Sequence, residues 1–348
     1  MPDLDDELVG LYEVAEMAKV SRTVVANWRN RDPRFPRPVA ELRSGPVFRS
    51  GQIRRYIKRR RKHMAHVIAT INLKGGVGKT TTTVAVAEVL SGEFHKKVLA
   101  IDLDPQTNLT TVLIGDQRWG ELNKNGHTLA ALFEDALKSE SEPKRFNLDA
   151  TLQRGVSPVR DVRTLDLLPS SLDLIGVQDR LGTMSPGRYF SDNPTDLLRR
   201  ATHRLLDDYD YVLIDCPPNL GIVTFNGLRI ADGYIIPTIP DILSTYGIPQ
   251  IQSRVRGFAD SLGQTIIELG IVITKYRAAS TVHRTTIERL EDDKELPVVF
   301  NAWIPEGNKI AEAAEHAPLG TVRQRWGNHF ETFRDLTKEI IAAAEENA

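Results

Sequence analysis

A short apolar run, residues 67–71, leads directly into Asn72-Leu73-Lys74-Gly75-Gly76-Val77-Gly78-Lys79-Thr80-Thr81, and helical periodicity begins at once afterwards. Strand, glycine-rich turn and helix form the context that a phosphate-binding loop requires. Glycines let the backbone turn tightly and bring successive N–H groups onto phosphate oxygens. The helix N-terminus adds the positive end of its dipole. Lys79 is placed to reach the β- and γ-phosphates of a nucleoside triphosphate, and the Thr80 hydroxyl to ligate Mg2+. A plain glycine-rich turn is the competing reading. The pattern K-G-G-x-G-K-[ST] should arise by chance in only about one chain in ten thousand of this length, given average residue usage.

This loop commits the chain to an α/β fold, and the remaining pattern agrees. Residues 67–72, 98–103, 211–215, 234–239 and 267–274 are apolar runs of buried-strand type. Helical patterns cover 79–91, 221–230, 244–261 and 281–292. Such alternation predicts βαβ crossovers and a P-loop NTPase architecture, a mostly parallel twisted sheet with helices on both faces. Residues 115–165 are polar and weakly periodic, and read as helical excursions and loops.

Charge divides the chain. Its 45 Lys and Arg against 46 Asp and Glu give a net −1, which argues against a nucleic-acid partner if taken alone. Residues 1–66, however, hold 15 basic and 8 acidic residues, a balance of +7, and the remainder carries −8. The step places a domain boundary near residue 65, giving domains 1–65 and 66–348. The first segment reads as a small, mainly helical unit. Leu11, Val14, Ala15 and Ala18 recur at helical spacing, Ser21 caps a second helix running to about Asn30, and Pro33, Pro36 and Pro38 then break it. Residues 39–42 and 47–49 can pair as a hairpin around 43–45, and Ser50 opens a last, strongly basic helix.

The lysine at position 74 sharpens the reading. A strict Walker pattern wants Gly at position 73, where this chain has Leu73 followed by Lys74. Lys74-Gly75-Gly76-Val77-Gly78-Lys79-Thr80-Thr81 resembles the deviant Walker A box of the ParA/MinD family of ATPases. Asp102-Leu103-Asp104-Pro105-Gln106 resembles that family's D-x-D-P-Q box, and Tyr211-Val212-Leu213-Ile214-Asp215-Cys216-Pro217-Pro218 its Walker B strand and switch. Ile236-Pro237-Thr238 and Gly270-Ile271-Val272-Ile273-Thr274-Lys275-Tyr276 match later strands in order. The resemblance runs from about residue 66 to 335 and is closer to partition ParA proteins than to MinD.

The resemblance implies ATP and Mg2+ as ligands, a homodimer that sandwiches ATP, slow basal hydrolysis, and stimulation by a ParB-like centromere-binding partner. It makes Lys74 the signature lysine that reaches the partner subunit's nucleotide, where a second cation can neutralise charge on the transferred phosphoryl group. With Lys79, Asp104 completes the catalytic set by orienting the attacking water and contacting the metal shell. Asp102 and Asp215 would sit near Mg2+ through water. Thr274 and Pro305, the latter within Trp303-Ile304-Pro305-Glu306, either line the adenine pocket or serve plain strand and turn roles. Cys216 reads as a buried, inert thiol, and one cysteine cannot supply the two per subunit of a nitrogenase-type shared cluster.

Two regions read as DNA surfaces. Val14-Ala15 together with the segment from Val20 to Trp28 resembles a helix-turn-helix, in a winged form like MerR-type or excisionase-type modules, with Lys19 where the turn commonly has Gly. It would put Ser21, Arg22, Thr23, Asn27 and Arg29 near a major groove, with Arg49, Arg59, Arg60 and their basic neighbours on phosphates. The alternative is a helical cap or dimerisation arm. On the second domain the resemblance implies that Arg254, Arg256, Lys275, Arg277, His283 and Arg284 bind nucleoid DNA without sequence preference, the alternative being scattered solvated charges. The lone thiol and an acidic start without an apolar signal point to a cytoplasmic, nucleoid-associated protein. The acidic tail, with Glu339, Glu345 and Glu346, argues against a MinD-like membrane anchor. An ATP-responsive transcriptional regulator is the main alternative function.

Overall fold

The structure, a computed structural model, describes residues 7–18, 20, 22–31, 35–62, 65–139, 141–183 and 193–346. Its contacts divide the chain into two units, Met1–Met64 and Ala65–Ala348.

In the first unit β1 (Leu8–Gly10) precedes α1 (Leu11–Ala18) and α2 (Arg22–Arg31). Strands β2 (Ala40–Leu42) and β3 (Gly45–Arg49) and helix α3 (Ser50–Lys62) follow. The strands form an antiparallel sheet in the order β1-β3-β2. Val14, Ala15 and Ala18 of α1 meet Val25 of α2, Phe48 of β3 and Ile53, Tyr56 and Ile57 of α3 in one apolar core. Phe35 packs edge-on against both Phe48 and Tyr56, with centroids 5.4 and 4.9 Å apart. Ser21 lies outside the described residues, so its predicted capping role has no structural counterpart here. Strand β1 has no counterpart in the sequence reading. It is three residues long, and its pairing partners lie 37–41 positions away.

The second unit opens with β4 (His66–Thr70), the P-loop, and α4 (Lys79–Gly92). Then come β5 (Val98–Asp102), α5 (Asn108–Lys124), α6 (Leu129–Ala136), α7 (Leu148–Thr151), β6 (Leu165–Leu168), α8 (Leu174–Thr183) and α9 (Leu197–Thr202). Strand β7 (Tyr211–Asp215), α10 (Ile222–Ile230), β8 (Gly233–Thr238), α11 (Ile242–Thr245), α12 (Ile248–Ser261), β9 (Ile267–Ile273) and α13 (Thr281–Asp292) complete the α/β alternation. Helices α14 (Asn308–Glu312), α15 (Val322–Trp326) and α16 (Phe330–Glu346) close the chain.

All six strands are parallel, in the order β6-β5-β7-β4-β8-β9. Period-two alternation assigns each strand's side chains to two cores. Val67, Leu99, Ile101, Val212 and Ile214 face one layer of helices, and Ile68, Val98, Ala100, Tyr211 and Leu213 face the other. The sheet is therefore buried on both faces, which is why its strands read as continuous apolar runs.

Helices α5, α6 and α7 and the loops between them agree with the reading of 115–165 as helical excursions and loops, whereas β6, which starts at Leu165, has no counterpart in the sequence reading. Leu165, Leu167 and Leu168 are buried, but the run is only four residues long and follows a polar stretch. Helix α5 consists of two helical stretches. It is broken only at Gly115, whose backbone is non-helical (φ 77°, ψ 159°).

A buried ion pair ties the P-loop helix to the C-terminal segment. Glu88 on α4 accepts hydrogen bonds from Ser157 Oγ (2.7 Å) and Trp326 Nε1 (3.1 Å), and Arg325 Nε lies 3.3 Å from its carboxylate. Arg325 Nη2 donates to the Ala313 carbonyl at 2.7 Å. Burial pushes the Glu88 carboxyl upward and the Arg325 guanidinium downward, and each charge offsets the shift of the other. Removing one partner strands the other in the core. Arg325→Met is expected to lower unfolding free energy by about 3–5 kcal/mol in urea titrations. Adding Glu88→Gln should recover most of that loss. Equal destabilisation of the single and double variants would contradict the pairing.

Candidate nucleotide-binding site

The site is built at the carboxyl ends of β4, β5 and β7, where open parallel sheets bind ligands. The ladder extends past the strands to fix their ends: Ile71 N donates to Ile235 O, Leu103 N to Asp215 O and Cys216 N to Thr70 O. In this register Asp102 and Asp215 stand side by side across β5 and β7.

Between β4 and α4 the P-loop is anchored at its base and open at its tip. Asn72 donates through Nδ2 to Pro237 O (2.8 Å) and accepts from Lys74 N through Oδ1 (2.9 Å). Gly75 and Gly76 are exposed and Val77 is fully buried. Gly76 (φ 72°) and Gly78 (φ 85°) lie in the left-handed region, where a side chain would be strained. Lys79 is buried, and its Nζ lies 3.3 Å from each of the Asn72 and Lys74 carbonyls. Burial lowers its affinity for a proton, and the charges of Asp215 and Asp104 offset this. The ammonium thus folds back over the loop it serves.

The acidic residues differ from one another in their partners. Thr80 Oγ1 donates to Asp215 Oδ2 at 2.6 Å, while Asp215 Oδ1 is buried without a hydrogen-bond partner. Asp104 Oδ1 accepts from Gln106 N (2.9 Å), and Ser170 Oγ donates to the Asp104 carbonyl (2.7 Å). Asp102 is engaged by its own turn. Its Oδ1 accepts from Asp104 N, and its Oδ2 from both the amide and the hydroxyl of Thr110. It shapes the turn that presents Asp104.

The residues fit Mg2+ as a shared ligand. A hydroxyl and an orphaned carboxylate oxygen are hard donors suited to this ion, which characteristically completes its shell with waters and substrate phosphates. Among the described residues no group of three or more His, Cys, Asp or Glu side chains could hold a metal without such help.

The other predicted residues are distributed as follows. Lys74 Nζ lies 3.2 Å from Asp241 Oδ2, on the turn after β8. Thr81 lies in the first turn of α4. Thr274 is buried, and its hydroxyl donates to the Val77 carbonyl at 2.8 Å, so it braces the P-loop. Pro305 pairs with Tyr276 in an isolated parallel bridge. Cys216 is fully buried, and burial raises its thiol well above the usual range. Asp241, Ser170 and Thr110 were not anticipated, because each is brought in by tertiary contact from outside any motif.

Of the predicted DNA contacts, Arg22, Arg29, Arg49, Arg254, Arg256, Lys275, Arg277 and Arg284 are exposed. Thr23 and Asn27 belong to α2, and Arg59 and Arg60 to α3. Several of these cations have acidic neighbours. Arg29 pairs with Glu41, Arg277 with Glu306, and Arg256 lies 3.8 Å from Glu268.

Burial, chiefly, raises Asp215 to about 7, with the Asp104 charge adding to the shift and the Thr80 hydrogen bond and Lys79 opposing it. Asp102 is raised by burial and then by the Asp215 charge. A carboxyl raised on folding favours the native state below its unfolded pKa, and that contribution is lost as pH climbs through the folded value. Without nucleotide, stability should therefore decline between about pH 4 and pH 7 through this group. Asp215→Asn should match the native chain near pH 4 and exceed it by about 2–4 kcal/mol at pH 8. Parallel stability curves across that range would refute the shift.

A family model described as an AAA domain matches residues 65–267. An uncharacterized protein of Mycobacterium tuberculosis is 37% identical over 278 residues, covering 80% of this chain and 79% of that protein. The chromosome partitioning protein ParA of Caulobacter vibrioides is 29% identical over 252 residues, covering 71% and 83%. Among solved structures, cobyrinic acid a,c-diamide synthase from Mycobacterium smegmatis with bound ADP and magnesium is 32% identical. It has a TM-score of 0.55 and covers 72% of this chain and 91% of that one. The P-loop, the parallel sheet and these similarities agree, and the chain belongs to the AAA domain family, among its ParA-type ATPases.

Proposed function

We propose that this chain is a DNA-partition ATPase that binds Mg·ATP at the P-loop, pairs as an ATP-sandwich dimer and holds DNA in that state. Hydrolysis then resets it, accelerated by a ParB-like partner. The observation that carries the reading is the convergence of Lys74, Lys79, Thr80, Asp104 and Asp215 on one sheet edge.

Each residue has a physical task. The amides of the glycine-rich turn cradle the phosphates, and Lys79 exchanges its two carbonyl partners for the β- and γ-phosphate oxygens. Thr80, with Asp215 behind it, would hold Mg2+. The metal supplies Lewis-acid polarisation of the phosphate oxygens. Asp104, fixed by the Asp102 turn, orients the attacking water. Lys74 leaves Asp241 to reach the partner subunit's nucleotide, which makes catalysis depend on pairing.

Two features support a dimer at this edge. Leu172 and Ile175 follow β6, Ile242 and Tyr246 follow β8, and all four are half or more exposed. They leave apolar surface on both sides of the phosphate site, of the kind that marks an interaction face. After β9, Lys275, Arg277 and Arg284 supply cations that dimerisation would double. The first unit, with its β-α-α-β-β-α order and exposed arginines, supports a winged helix-turn-helix module that contacts DNA separately.

The membrane-anchored alternative finds less support. A membrane anchor would need a free amphipathic tail, but the apolar side of α16, including Phe330, Phe333, Leu336 and Ile340, is buried in the core. No described helix is long and apolar enough to cross a membrane.

Lys79→Ala should lower Mg·ATP hydrolysis at least about a hundredfold and remove the ATP dependence of binding to a long nonspecific duplex. Asp104→Ala should lose hydrolysis to a similar degree while keeping ATP-dependent DNA binding. Unchanged hydrolysis in Lys79→Ala, with DNA binding still ATP-dependent, would sink the proposal.

A further inference from the structure

The end of β9 approaches the P-loop from the side opposite its open tip. Thr274 follows the last residue of β9, and its amide donates to Thr238 O at 2.9 Å, so the residue stays tied to the sheet. Its side chain turns to the loop: Oγ1 donates to the Val77 carbonyl at 2.8 Å. Its methyl Cγ2 lies 3.5 Å from where a Cβ on Gly78 would stand. Immediately afterwards Lys275 adopts φ 49°, a left-handed conformation that bulky residues rarely hold. Such conformations persist only where the surroundings enforce them, and they concentrate at working sites.

The consequence lies in the geometry of one peptide. The Val77 carbonyl and the Gly78 N–H belong to the same planar trans unit, so they point in opposite directions. A hydrogen bond that fixes the carbonyl toward β9 also fixes the Gly78 amide on the side away from Thr274. Gly78 has no Cβ to resist a flip of that peptide, and neighbouring Gly76 is equally permissive. A loop of this composition needs an external restraint if its amides are to be aligned before a phosphate arrives, and preorganised donors are worth more than ones that must reorient.

We propose that Thr274 is a positioning residue for nucleotide phosphate: its hydroxyl sets the Val77–Gly78 peptide plane and so presents the Gly78 amide to the phosphates. The sequence reading offered Thr274 as an adenine contact or a plain strand residue. The hydrogen bond gives it a different task. This inference rests on the ATP-binding role proposed for the P-loop.

The test compares Thr274→Val, which keeps the shape and removes the hydroxyl, with Thr274→Ser, which keeps the hydroxyl, in the full chain. Mg·ADP and Mg·ATP affinities are measured by calorimetry below the melting temperature of each variant, with folding checked by circular dichroism. Thr274→Val should weaken both nucleotides by the same factor, on the order of tenfold, because they share the phosphates nearest the loop amides. Thr274→Ser should stay within about twofold of the native chain. If Thr274→Val does not fold, Thr274→Ala against Thr274→Ser isolates the same hydroxyl, with the same tenfold difference expected. A mere core role predicts a lowered melting temperature with unchanged affinities, and that result overturns the proposal. So does equal weakening in the serine and valine variants. If the native chain itself binds neither nucleotide, the ATPase reading falls and this inference with it, whereas normal native binding with an unaffected valine variant removes the inference alone.

Discussion

Asp102 and Asp215 are held side by side by the parallel register of β5 and β7, both fully buried. Two like charges in that position cannot both ionise cheaply. The local structure resolves the conflict asymmetrically. Asp102 is surrounded by donors from its own turn, while Asp215 has one oxygen on Thr80 and one without a partner. The site is therefore tense without a cation and suited to one that arrives with phosphate. Lys79, drawn over the loop carbonyls, is the nearest positive charge available before then. The helices on both sheet faces exclude water and give these interactions their strength.

Around this edge the chain separates its charges. The basic first unit and the acidic ATPase unit nearly cancel in the total, so the net value describes neither. DNA affinity in the second unit has to come from a local group of cations, several already balanced by carboxylates such as Glu306 and Glu268. A modest surface of this kind binds weakly as a single copy. In the proposed dimer, pairing of subunits would multiply the phosphates it neutralises, and affinity depends steeply on that number. Control by nucleotide follows if the same edge that holds phosphate also holds the partner.

What could be read in advance was what is local. The P-loop, the D-x-D-P-Q turn and the Walker B strand lie in short segments whose chemistry is contained in consecutive residues. Five of the six parallel strands were visible because burial on both faces makes them uniformly apolar. Strand β6 was hidden by its length and polar surroundings, and β1 by a pairing across 37–41 positions of chain. The ion pair of Glu88 and Arg325, the contact of Lys74 with Asp241 and the grip of Thr274 on the P-loop join residues far apart in sequence. Nothing in their local spacing announces them. The family resemblance placed Asp102 near the metal through water. Only the tertiary position of Thr110 reveals that its oxygens are already engaged.

The most direct test of the account is the mass of the full chain in solution, measured by light scattering with the hydrolysis-blocked Asp104→Ala variant. In Mg·ATP the mass should double relative to ADP or no nucleotide. Replacing Lys74 with Ala in the same background should return it to the single-chain value. An identical mass in all nucleotide states would contradict the claim that ATP at this site assembles the dimer.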